Sequence, residues 1–312
     1  MISDWSQTTA IPVAPLGYRS GFVGIIGRPN VGKSTLMNQM VGQKIAITSP
    51  VAQTTRNRLR GILTLETAQI IFVDTPGIHK PHHQLGKVLV KNARIAIESV
   101  DVVLLVVDGS VKAGGGDRFI IELLNRVKNP VILGMNKIDQ QPPNAEAINQ
   151  SYQQLAATHS WPIVEFSALT GTGVDHLQQL LINNLEPGPY YYPPDLVTDQ
   201  PERFIMAELI REQILHHTRQ EVPHSVAIVI DKVDESPEIT RILATIHVER
   251  PSQKGILIGK GGQMLKTIGT AARQQIQKLI AGKVYLELFV KVQPKWRQSR
   301  TQLAELGYRI EE

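Results

Sequence analysis

The sequence predicts an α/β domain with a mostly parallel sheet, followed by a smaller α+β domain of different design. Three observations carry this. Short Val/Ile/Leu runs alternate with helix-like stretches from Gly21 to about Leu185. Pro187, Pro189, Pro193 and Pro194 then interrupt the alternation, and beyond them the order of elements changes. Near-continuous apolar runs suit strands buried on both faces, as in a parallel sheet covered by helices. Prolines at that density cannot continue a helix and read as a semi-rigid linker. A length of 312 residues also favours two domains over one. The expected division is a flexible tail over 1–20, a first domain over 21–186, a linker over 187–198 and a second domain over 199–312.

Taken in order, the first strand is Gly21 to Ile26, and GRPNVGKS (Gly27 to Ser34) follows it. A helix is expected from about Lys33 to Met40. Further strands are expected over Gln69 to Val73, Val102 to Val107, Pro130 to Met135 and Trp161 to Phe166. After the prolines come a helix over about 202–217, strands over 224–230 and 240–248, a helix after Gly262 and a strand over 284–290.

Composition narrows the function classes. Hydrophobic residues make up 42% of the chain, enough for real cores, and no apolar run approaches the roughly 20 residues of a membrane span. The start, MISDWSQ, lacks a basic stretch followed by an apolar one, so no secretory signal is expected. The chain has no cysteine, which excludes disulfides and thiolate metal sites and suits a reducing compartment. Net charge is +5 but unevenly spread. Residues 250 to 300 carry many Lys and Arg and a single acid, Glu287, so a polyanionic partner is expected there.

The first domain carries nucleotide chemistry at its strand ends. In GRPNVGKS, successive backbone N–H groups can wrap a phosphate while the new helix N-terminus adds partial positive charge. Lys33 would reach the outer phosphates and the Ser34 hydroxyl would meet Mg²⁺. DTPG (Asp74 to Gly77) follows the strand expected over Gln69 to Val73; its Asp can hold Mg²⁺ through water and its Gly can approach a γ-phosphate. NKID (Asn136 to Asp139) follows another strand. Its Asp can accept two hydrogen bonds from guanine N1–H and N2–H₂, a donor pair adenine does not present. Lys137 can lie along the base, Asn136 can tie this loop to the phosphate loop, and backbone N–H groups of SAL (Ser167 to Leu169) can meet guanine O6. Each motif alone is weak; all in order at strand ends point to guanine.

GRPNVGKS, QTTR (Gln53 to Arg56), DTPG, NKID and SAL together resemble the translation-factor-related GTPases, and within them the Era family, over about residues 20 to 310. The resemblance implies a P-loop GTPase domain. It implies GTP or GDP held by Gly27, Asn30, Val31, Gly32, Lys33, Ser34, Thr35, Asp74, Asn136, Lys137, Asp139, Ser167 and Ala168. Mg²⁺ would be held by Ser34, Thr55 and, through water, Asp74, and the catalytic set would be Lys33, Thr55, Asp74 and Gly77. It further implies action on 16S ribosomal RNA in assembly of the small ribosomal subunit, a monomer, and a cytoplasmic location with weak peripheral contact at the inner face of the cell membrane.

One departure bears on mechanism. Ile78 stands where Ras-like GTPases place a water-orienting glutamine, and an apolar side chain can neither orient nor deprotonate water, so slow turnover is expected. His79, His82 and His83 lie nearby in a Lys/Pro/His loop, where histidines are usually only solvated. Asn30 is the better lead, because in related GTPases an Asn at this position helps bind K⁺, whose charge would act beside the phosphates.

The second domain has its own signature. ILIGKGGQMLKTI (Ile256 to Ile268) contains I-G-x-x-G, and with strands on both sides and basic surroundings it resembles a type II KH domain. Gly259 and Gly262 would let an RNA backbone approach closely and clamp about four nucleotides. Ile258, Lys260, Gly261 and Lys266 complete the expected RNA surface. Trp296 and Tyr308 fit core or hinge contacts better than base stacking. The competing class is an RNA-binding or chaperone module whose nucleotide site is structural; Ile78 favours it, and the intact Lys33, Ser34, Thr55 and Asp74 set favours a working GTPase.

Overall fold

The computed structural model describes residues 11–49, 59–74, 77–78, 97–125, 127–219, 222–223 and 225–306. QTTR with Thr55, the middle of DTPG, His79, His82, His83 and Tyr308 lie outside them. The chain divides into two compact units, one formed mainly by residues up to Asp199 and one from Gln200 onward.

The first unit contains β1 (Arg19–Ile26), α1 (Lys33–Val41), β2 (Leu59–Thr64), β3 (Ala68–Asp74), β4 (Val102–Asp108) and α2 (Gly115–Leu124). It continues with β5 (Val131–Asn136), α3 (Glu146–Ala157), β6 (Ile163–Glu165) and α4 (Val174–Asn183). The sheet order is β2-β3-β1-β4-β5-β6. All pairings are parallel except β2 with β3. The Val/Ile runs behave as predicted: β3 is buried throughout and β4 nearly so. On one face Ile26, Val73, Leu105 and Leu133 pack with Ile120 and Leu124 of α2 and with Ile148 and Tyr152 of α3. Parallel register brings Ile25 beside Asp74 and Asp108 beside Asn136, so the loops after β1, β3, β4 and β5 emerge at one edge. That carboxyl edge is where open α/β sheets bind ligands.

Two features differ from the sequence expectation. Strand β2 was not anticipated, because LRGILT mixes charge and glycine into a short run and its place is set by antiparallel pairing with β3. The Pro-rich segment is also held against the first unit. Ser20 N–H donates to Glu186 O, Gly188 N–H to Tyr18 O and Ile62 N–H to Val197 O. The fully buried Gln69 carboxamide accepts from the Tyr191 and Tyr192 N–H groups and donates to Tyr192 O. Arg60 pairs with Asp199 at 2.9 Å. At the other end of the chain, Tyr18 is buried and Arg19 already belongs to β1.

The second unit comprises α5 (Glu202–His217), β7 (Ala227–Glu235), β8 (Ile239–Val248), α6 (Pro251–Ile258), α7 (Gln263–Ile276), β9 (Lys283–Val292) and α8 (Arg300–Glu305). Its sheet runs β7-β8-β9, antiparallel then parallel. Strand β7 extends past the expected Ile230 into the polar DKVDE run, across a bulge at Ile230/Lys232. Trp296 is buried against Ala227 and Leu306, and its indole N–H donates to Ser225 O at 3.2 Å, as expected for a core side chain. Among the described residues no helix is long and apolar enough to cross a membrane.

Candidate functional site

The phosphate loop leaves β1 at Gly27 and enters α1 at Lys33. Gly32 has φ 99°, and a Cβ there would lie 2.2 Å from Asn136 Nδ2, so both backbone and space demand glycine. Asn30 also adopts a left-handed conformation, φ 64°. The Lys33 side chain is folded into the loop, its amine donating to Arg28 O at 2.9 Å and Gly27 O at 3.2 Å. Burial strips it of water and lowers its pKa to about 8, against the opposing pull of Asp74. The Ser34 hydroxyl donates to Asp74 Oδ2 at 3.2 Å. These are hard oxygen donors converging at the start of α1, the donor type Mg²⁺ takes. Gly77 closes against the loop, where a Cβ would come within 2.8 Å of Pro29 Cα, and Ile78 N–H donates to Gly27 O. The Ile78 side chain is only 3% exposed and packs into the core.

The NKID and SAL loops are joined to the phosphate loop through one side chain. Asn136, 2% exposed, donates from Nδ2 to Val31 O and accepts at Oδ1 from Ala168 N–H, each at 2.8 Å. The Ala168 N–H, one of the SAL backbone groups expected near guanine O6, is engaged with Asn136 here. The Ser167 hydroxyl accepts from Thr170 N–H and shapes the same turn. Lys137 sits at φ 67° and pairs with Asp108 at 2.6 Å. Burial would raise the Asp108 pKa, but hydrogen bonds from Lys137 and Ser110 outweigh it and hold the carboxyl below its ordinary value. Asp139 is exposed in the following turn, its carboxylate open to a ligand. Asp108, Arg28 and Asp117 join this framework although sequence reading did not single them out. Their partners lie 29 and 89 positions away, and only a charge inside the phosphate loop hinted at Arg28.

In the second unit, Gly259, Gly261 and Gly262 all have positive φ, between 60° and 80°. A Cβ on Gly259 would lie 2.7 Å from Met264 Cβ, so the α6–α7 turn can close only with glycine there. Lys260 and Gly261 are exposed at its tip, Ile258 is half-buried beneath, and Ile256 is 49% exposed. Lys266 joins Gln263, Thr267, Thr270, Ala271 and Gln274 along an open groove on α7.

A glycine-wrapped buried lysine at the carboxyl edge of this sheet, followed by an α-β-β-α-α-β unit with a G-x-x-G turn, defines a P-loop GTPase joined to a KH domain. The family described as 50S ribosome-binding GTPase matches residues 22–137, and the KH domain family matches residues 221–297. The chain is 76% identical over 311 residues to GTPase Era of Nostoc sp., covering 100% of this chain and 96% of that one. It is 68% identical over 314 residues to GTPase Era of Synechocystis sp., covering 99% and 100%. It belongs to the Era family of GTPases. Among solved structures it superposes, with TM-score 0.87 and 38% identity, on Era in complex with MgGDPNP and nucleotides 1506–1542 of 16S ribosomal RNA; the match covers 94% of this chain and 100% of that one. An Aquifex aeolicus Era variant bound to GDP.AlF4- matches with the same TM-score, identity and coverage.

Proposed function

We propose that this GTPase is a nucleotide-controlled RNA binder that takes the 3′ region of 16S ribosomal RNA through its KH unit and assists assembly of the small ribosomal subunit. The observation that carries the nucleotide half is the double hydrogen bond of Asn136, which fixes a phosphate loop and a base-reading turn at one separation. In this reading the backbone from Gly27 to Thr35 wraps the phosphates. The Lys33 amine leaves its carbonyl partners for the outer phosphates, and Gly77 approaches the γ-phosphate. Asp139 accepts from guanine, Lys137 lies along the base, and Ser167 and Ala168 hold the turn beside it. Ser34, Thr55 and, through water, Asp74 would hold Mg²⁺, which when bound neutralises charge on the phosphates. With Ile78 in the core, basal turnover is slow. Asn30 would contribute to a K⁺ site, tested by comparing hydrolysis in KCl and NaCl at matched ionic strength.

The RNA half rests on the bare glycine turn, its lysines and the basic run around it. Ile258, Gly259, Lys260, Gly261, Gly262 and Lys266 form the clamp, and the protein acts as a cytoplasmic monomer. Multiple-turnover phosphate release, measured with and without an RNA of the 16S 3′ region, tests the reading. Turnover that RNA stimulates supports it. Absence of turnover under both conditions would return the first unit to a structural nucleotide site.

A further inference from the structure

A polar path joins Arg28 of the phosphate loop to Lys137 through Asp117, Tyr152 and Asp108, three residues that lie in none of the nucleotide motifs. Arg28 Nε donates to Asp117 Oδ1 at 2.7 Å. Asp117 is 1% exposed, and its other oxygen accepts the Gly114 N–H at 2.8 Å, capping α2. The Arg28 stem crosses Gly116 so closely that a Cβ there would lie 2.6 Å from Arg28 Cδ. The guanidinium also lies within electrostatic reach of the Tyr152 hydroxyl, which donates to the Asp108 backbone O at 3.1 Å. The Asp108 carboxylate in turn holds Lys137 at 2.6 Å.

We propose that Arg28 and Asp117 form a positioning tie, relayed through Tyr152 and Asp108 to Lys137, that keeps the phosphate loop in register with the guanine-reading loop. The inference rests on the nucleotide reading above and adds Asp117, Tyr152 and Asp108, which that reading does not place against the nucleotide. Its physical basis is rigidity at both ends. Asp117 is anchored at a helix N-terminus, where a carboxylate is favoured, and the planar guanidinium forms directed bonds that an ammonium cannot reproduce. Asn136 braces the phosphate loop directly against the SAL turn, and the tie gives that loop a second brace. Without the second brace the empty phosphate loop samples more geometries, and binding must first select the competent one.

The test uses the full chain and three variants: Asp117→Asn, which keeps the shape and the helix cap but removes the charge, Tyr152→Phe, which removes only the relay hydroxyl, and Arg28→Lys. GTP affinity is read by titration, and KM and kcat by phosphate release. Asp117→Asn is expected to raise Kd and KM about tenfold while kcat at saturation changes by less than about twofold, and Tyr152→Phe to raise KM about threefold. Arg28→Lys should fall between wild type and Asp117→Asn. The double variant Arg28→Lys/Asp117→Asn should be no worse than Asp117→Asn alone, because both remove one interaction. Unchanged KM in folded Asp117→Asn and Tyr152→Phe proteins would overturn the tie, as would a loss confined to kcat. Failure of Asp117→Asn to fold leaves Tyr152→Phe and Arg28→Lys to decide by the same criterion. If the wild type itself binds no GTP, the nucleotide reading fails first and the tie falls with it.

Discussion

The two glycine loops of this chain face ligands of opposite character and differ in what stands behind them. Around the phosphate loop, Lys33, Asp74, Asn136 and Asp117 are all buried polar groups, and the last three bond to the loop or the start of α1 from 40, 105 and 89 positions away. At the G-x-x-G turn, Lys260 and Gly261 are exposed and the conformation is carried by three positive-φ glycines. A small ligand with fixed charges is read by donors at set distances, and buried polar groups hold such distances because moving them is costly. A flexible polyanion needs open backbone and charge spread along its path.

The strongest way to break this comparison acts on the open loop. Replacing Lys260 and Gly261 together by Asp should abolish specific RNA binding while basal GTP turnover persists, since the new carboxylates face RNA phosphates and leave the first unit untouched. Wild-type affinity should fall steeply with salt, by roughly 0.7 in slope per phosphate contact on a single strand. RNA affinity across a salt series and turnover on the same preparations give the answer; full-strength RNA binding would make the G-x-x-G an ordinary turn.

Next in size is Lys33→Ala. Loss of one preorganised donor to the phosphates should cost about 10²- to 10³-fold in turnover, with a melting curve that still shows a folded protein. Retained turnover would mean that the buried amine serves only the loop. Asp139→Asn should move preference from GTP toward XTP by about 10- to 100-fold, the size of a paired hydrogen-bond readout, because the amide offers a donor where xanthine carries a carbonyl. Competition between the two nucleotides checks it.

The smallest effect sharpens the contrast through pH. In the empty site Lys33 has a pKa of about 8, and a bound phosphate favours its charged form. Below pH 8 the amine is already protonated, so affinity is flat. Above it, binding must take up a proton, and affinity should fall by about fivefold from pH 8 to 9. A GTP titration across that range measures it, and RNA affinity, which involves no buried lysine, should not follow the same curve.

Legibility in the sequence followed locality. Strands β3, β4 and β5 could be read from their own Val/Ile runs, and the nucleotide motifs were visible because each is contiguous and its chemistry needs those residue types in order. The G-x-x-G turn was legible for the same reason. The Arg28–Asp117 and Asp108–Lys137 pairs were not, since nothing near Arg28 announces a partner on a later helix. Strand β2 escaped because its pairing with β3, and not its own pattern, makes it a strand. Ala168 shows what motif chemistry leaves out: the SAL turn could be found, but not the bond of its N–H to Asn136.

The segment from Glu186 to Asp199 has a consequence for dissecting the chain. Strand β2 is the outer strand of its sheet, and Val197 occupies the Ile62 N–H that would otherwise face outward. Tyr190 packs on Tyr18 and Tyr191 on Phe22, while Pro193 and Pro194 present no N–H for another strand to join. A fragment ending before Pro187 would uncover two aromatic rings and an unpaired edge, the combination that recruits a second copy into continuous sheet. One running through Asp199 should stay dispersed. Where the chain is cut therefore decides whether its first half is a soluble nucleotide binder or the seed of a precipitate.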